Sequence, residues 1–232
     1  MDNSYKYLGY FFLLLIPLTI AGFYKTYIVQ LPNFKENITY FIHIHALIAT
    51  LWIGILMLQP FLIVNKRFAL HRKVGKTSYV VFPLLILSFL PQMIRTANST
   101  NPKNLFFSLA DCTLLIIFYS LAVYYKKISS LHMRYMIATT LVFLGPTVGR
   151  IGPILFGWSE MVTQNVQYGI IYLILISLLY YDKTSGKKFQ PYTIAICFFV
   201  VHQIIYHIVF LYNRSTAYNH MGGPDWVLCI EA

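Results

Sequence analysis

Two histidines stand two positions apart, His43 and His45, in FIHIHALIATLWIGILMLQP, residues 41–60, a stretch apolar enough to cross a bilayer. An ionisable side chain inside a membrane helix costs roughly 2.5–3.5 kcal/mol on insertion scales, so each one needs a partner, water or a ligand. Asp111, Arg150, His202 and His207 raise the same question in other apolar runs. Neutral imidazole is a common transition-metal ligand and the axial ligand of b-type haems. Asp111 could orient an imidazole or ligate a metal directly, and Arg150 could hold a haem propionate through a bidentate contact. The metal-ligating candidates are therefore His43, His45, Asp111, His202 and His207, with haem b or a transition-metal ion as the cofactor. The same groups suit a proton-coupled carrier, since imidazole titrates in the physiological range.

The elements that must position these groups are helices. Of the 232 residues 58% are hydrophobic and 11% charged, the composition of an integral membrane protein. Seven segments are long enough to span a hydrocarbon layer: 8–29, 39–64, 77–94, 104–125, 133–156, 165–181 and 191–212. Irregular backbone in lipid leaves polar groups unpaired, so the expectation is an all-α polytopic bundle of seven transmembrane helices. It forms one domain over residues 1–232, with a short tail at 213–232. The first segment is too long for a signal-peptide apolar region and has no convincing small-residue cleavage site, so it reads as a retained helix.

The net charge of +11 resides in alternate loops rather than on one face, which argues against nucleic acid. NKRFALHRKVGK, KKISSLHMR and DKTSGKK hold the cluster, and the loops between them are nearly neutral. The positive-inside rule puts these three on the cytoplasmic side, with the N-terminus inside and the tail outside. A bacterial inner membrane is the expected location, with the lipid bilayer as the first partner. Sequons at Asn37, Asn98 and Asn213 all fall on the expected outer side, and Cys112, Cys197 and Cys229 show no paired spacing.

Counted from the outer end at 1.5 Å per residue, His45, Asp111, Arg150 and His207 lie about 8–10 Å deep and His202 about 15 Å. A common layer permits a common cavity. Residues two apart differ by about 200° on a helix, so one of His43 and His45 faces elsewhere. His45 continues into Trp52 and Gln59 at seven-residue steps, a face suited to the interior. His43 shares its side with Leu47, Thr50 and Gly54, which suits close packing. On the last helix His202, Gln203, Tyr206 and His207 form one polar arc. Asp111 with Arg150 reads equally as a buried ion pair or a functional one. Gly145, Pro146, Gly149, Gly152 and Pro153 suit packing and a kink.

His71 in LHRKVGK and His132 in LHMRYM sit at the cytoplasmic edge, where they could form a second site or contact headgroups. HxHA followed by QP, then LHRKVGK, LHMRYM and an arginine late in the same helix, resembles a bacterial family of predicted multi-pass membrane proteins of unknown function. That family carries an LHRxxG motif and a later HxxxM/R motif, and the likeness spans roughly residues 41–155. In layout alone the chain is similar to haem-binding transmembrane cytochrome b and ferric reductase proteins. It departs from them because no helix carries two histidines thirteen or fourteen residues apart. By residue type and depth, His45, His202 and His207 could hold haem with Arg150 as counter-charge, and His71 and His132 could form a second centre across the bilayer. The leading expectation is an electron-transfer protein working with a quinone or another membrane redox subunit. The alternatives are a proton-coupled carrier, or a non-catalytic subunit of a membrane complex.

Overall fold

The computed structural model describes residues 12–34, 39–99, 104–187 and 189–220, with side chains to 210. Among the described residues eight α-helices follow one another: α1 Leu15–Phe23, α2 Tyr40–Val64, α3 Phe68–Ala97, α4 Leu105–Tyr124, α5 Ser129–Val142, α6 Leu144–Phe156, α7 Glu160–Thr184 and α8 Gln190–His220. No strand occurs among the described residues. Six spans among the described residues are long and apolar enough to cross a membrane: α2, α3, α4, α5 with α6 as one unit, α7, and α8 to Phe210. The seventh expected span is represented among the described residues by α1 alone. It ends at Phe23 rather than 29, where the Gln30 amide donates to the Lys25 and Thr26 carbonyls and closes a turn around the short 3-10 helix Ile28–Gln30.

Several helices outrun their apolar runs. α3 starts at Phe68 rather than 77, so the basic LHRKVGK stretch is its first turns and not a loop. Lysine and arginine are good helix formers, and their exposed side chains leave the backbone free to continue helically at the membrane edge. Lys66, at φ 56°, separates α2 from α3. The fifth span breaks at Phe143 because Pro146 has no N–H to offer the Val142 carbonyl. α6 ends on Gly157 in the left-handed region (φ 65°), and Ser159 caps α7 by accepting from Val162 N–H.

α2 packs on α3, α4 on α5, α6 on α7, and α8 on α5 and α7, while α1 lies against α6. The α1–α6 approach is close: a Cβ on Gly22 would meet the Thr147 backbone at 3.0 Å. Mid-bundle, Trp52, Phe82 and Tyr119 form an aromatic plug, with Phe82 and Tyr119 stacked at 4.0 Å and Trp52 edge-on to Tyr119 at 5.3 Å. Ser78 and the Tyr119 hydroxyl share a 2.8 Å hydrogen bond beneath it. Outward-facing Leu47, Val80, Ile94, Leu173 and Ile208 are exposed, the apolar exterior that a bilayer solvates.

Candidate functional site

On the α2 N-terminal side of the plug the helices part around a cavity of about 1450 Å³. It reaches from Thr39, Asn104 and Glu160 at the helix ends down to Leu85, Leu115 and Val142. His45, Asp111, Arg150 and His202 all line it. The small residues that the sequence offers for packing also make this space, because Gly145 and Gly149 leave one face of α6 bare opposite α4 and α7.

His45 is oriented by α3. Its Nδ1 lies 2.8 Å from the Ser88 hydroxyl, and that hydroxyl donates its one hydrogen to the Leu85 carbonyl at 2.6 Å. Ser88 must then accept from His45, so Nδ1 carries the proton and Nε2 keeps its lone pair. Phe89 buttresses the ring edge-on at 4.5 Å. Across the cavity, Tyr168, His202 and Asp111 form a chain: the Tyr168 hydroxyl is 2.7 Å from His202 Nδ1, and His202 Nε2 is 3.5 Å from Asp111 Oδ1. The last contact is ion-pair range rather than a well-formed hydrogen bond.

Arg150 and Asp111 are not an ion pair. Arg150 Nη1 donates back to the Pro146 carbonyl at 2.6 Å, and the guanidinium lies over the Phe23 ring of α1 at 4.4 Å. No carboxylate among the described residues comes within 4 Å of it. The paired buried arginine is instead Arg134, at the opposite end of the bundle. It grips Asp182 with Nε at 2.6 Å and Nη2 at 2.8 Å, and Nη1 donates to the Ser130 carbonyl at 2.7 Å. Both residues are essentially sealed, at 1% and 0% exposure.

His43 and His207 do not join the cavity lining. His43 turns to the α1 connection, where Nδ1 meets the Tyr27 hydroxyl at 2.8 Å and Phe34 packs edge-on. His207, about 140° round α8 from its fellow histidine, packs on Tyr206. The expected metal set of His43, His45, Asp111, His202 and His207 is therefore not assembled. Among the described residues, no group of three or more His, Cys, Asp or Glu side chains is placed to hold a metal ion.

His71 and His132 lie near one another at the other end, on the first turns of α3 and α5. His132 Nδ1 donates to the Ala122 carbonyl at 2.7 Å, and Gln59 reaches the His71 carbonyl at 3.3 Å. Cys112 is buried and Cys197 exposed, both free, while Asn37 and Cys229 lie outside the described residues.

Sequence reasoning passed over α7. Gln164, Gln167 and Tyr168 are buried, and the first two line the cavity. With Ile171, Leu175 and Asp182 they form a stripe at three-, four- and seven-residue steps, a periodic signal present in the sequence. Comparison with known protein families, with curated proteins and with solved structures gives no match.

Proposed function

We propose that this chain is a proton-coupled carrier whose solute enters the cavity from the outer face. The observation that carries this reading is the meeting, in one chamber, of an arginine that no carboxylate among the described residues approaches, an imidazole with a free Nε2 and the Tyr168–His202–Asp111 chain. A solute anion supplies what Arg150 lacks, and His45 and Asp111 exchange protons as it binds. The reading includes seven spanning helices in a bacterial inner membrane, N-terminus inside and C-terminus outside, as the basic loops require.

The test is proteoliposomes holding a pH-sensitive dye, challenged with small carboxylic acids under an imposed pH gradient. Solute-dependent proton movement that His45→Ala or Asp111→Asn abolishes supports the carrier. Proton movement indifferent to every solute and to both substitutions defeats it. A reporter fused between α7 and α8 should be cytoplasmic and one at the C-terminus external; the reverse removes the outer entry.

One observation favours a second reading, a redox protein serving a quinone or membrane redox subunit. His45 Nε2 is available to a quinone oxygen, a haem b iron or a metal. A haem gripped by opposed histidines of α2 and α8 does not fit, because both His202 nitrogens already face Tyr168 and Asp111. A Soret band with resolved α and β bands on dithionite reduction would decide for haem.

A further inference from the structure

The polar groups of the chamber are sorted by sign, and the substrate class inferred from them rests on the carrier reading. Arg150 is the cation. One of its five N–H donors is used by Pro146, and Phe23 covers one face. Asp111 is the carboxylate of the same lining, and the amides of Gln164 and Gln167 stand in it too. The two glutamines are 7% and 5% exposed, yet neither Oε1 has a hydrogen-bond partner.

Two glycines one turn apart on α6 make room for these side chains. A Cβ on Gly145 would lie 3.3 Å from Asp111 Oδ2 and 3.3 Å from Gln167 Nε2, and one on Gly149 would lie 3.7 Å from Gln164 Nε2. The carboxylate and both amides therefore rest against bare backbone beside the arginine. A membrane-buried guanidinium that no carboxylate among the described residues approaches, and a carboxylate with an imidazole 3.5 Å away, each carry a cost that an opposite charge relieves. A simple anion would satisfy only the arginine, and a simple cation only the carboxylate.

We infer that the solute is a zwitterionic amphiphile, its acid group on Arg150 and a primary ammonium on Asp111. The remaining wall, including Ile53, Phe89, Phe107 and Phe143, is apolar and takes the body of the molecule. This head chemistry has two sources, a free apolar amino acid and an ethanolamine lipid headgroup.

The full chain in phosphatidylcholine nanodiscs is titrated with phenylalanine and with lysophosphatidylethanolamine, each beside its N-acetylated form. One parent should bind at least about tenfold tighter than its acetylated form, since acetylation removes the charge and two donors; which parent binds names the source. Asp111→Asn should cut that discrimination by about tenfold, and Arg150→Gln should weaken both forms alike. Equal binding of parent and acetylated forms, binding of neither parent, or unchanged affinity in Arg150→Gln overturns the assignment. The wild-type comparison decides the matter should a variant fail to fold. Proton-coupled uptake of a plain carboxylate without zwitterion binding overturns this inference and leaves the carrier; zwitterion binding without proton movement upholds the inference and removes the carrier.

Discussion

Replacing Asp182 by Asn keeps the shape of the side chain and removes its charge, which leaves the Arg134 guanidinium sealed in the bundle without a counter-ion. Both partners are buried, and the contact is bidentate at 2.6 and 2.8 Å, so solvent screening gives little relief. Breaking one side of such a pair costs roughly 3–5 kcal/mol, or two to four orders of magnitude in the folded-to-unfolded ratio. The Ser130 carbonyl retains one guanidinium hydrogen bond, which favours the lower part of that range. Arg134→Leu with Asp182→Leu removes both charges and should recover most of the loss. Unfolding in dodecyl maltoside titrated with SDS, followed by circular dichroism, measures all three proteins. A single-variant cost below about 1 kcal/mol, the size of an exposed pair, or losses that simply add in the double variant, would refute the claim that this pair locks α5 to α7.

Asp111→Asn and Arg150→Leu, measured by the same unfolding assay, should couple by less than about 1 kcal/mol, because these two groups are not ion-paired. Gly152→Ala should destabilise by about 1–3 kcal/mol, since its Cβ would fall 2.5 Å from Thr163 Oγ1. Gly54→Ala meets nothing within 4 Å and should be neutral or stabilising by up to about 1 kcal/mol, so of the two midpoints only that of Gly152→Ala should fall. Tyr27→Phe and His43→Ala each break the same 2.8 Å hydrogen bond and should cost about 0.5–1.5 kcal/mol, with solute binding intact by nanodisc titration.

The helices were legible because the physics that makes them is local: a long apolar run in lipid has one way to satisfy its backbone. The angular separation of His43 and His45 was legible for the same reason, and the first does turn to Tyr27 while the second faces the cavity. Pairing was not legible. Depth counted along a helix places Asp111 and Arg150 at one level, but rotation and the route of each side chain decide contact, and Arg150 folds back onto its own helix. Asp182 was hidden for a different reason. In DKTSGKK it looks like a solvated loop acid among lysines, while its register with Leu175 and Ile171 carries it inward on α7.

The two arginines separate a structural charge from a functional one. Arg134 and Arg150 face the same cost of leaving water. The first meets it with a buried carboxylate from its own chain, at 1% and 0% side-chain exposure. The second sits in the wall of a 1450 Å³ chamber, with one backbone carbonyl and one phenyl face as its partners. Leucine there removes a buried charge that no carboxylate among the described residues offsets, so the expectation is that Arg150→Leu stabilises the bundle while solute binding is lost. Unfolding and titration of that one variant measure both halves. Loss of stability with binding retained would make Arg150 a structural residue and remove the anion from the substrate.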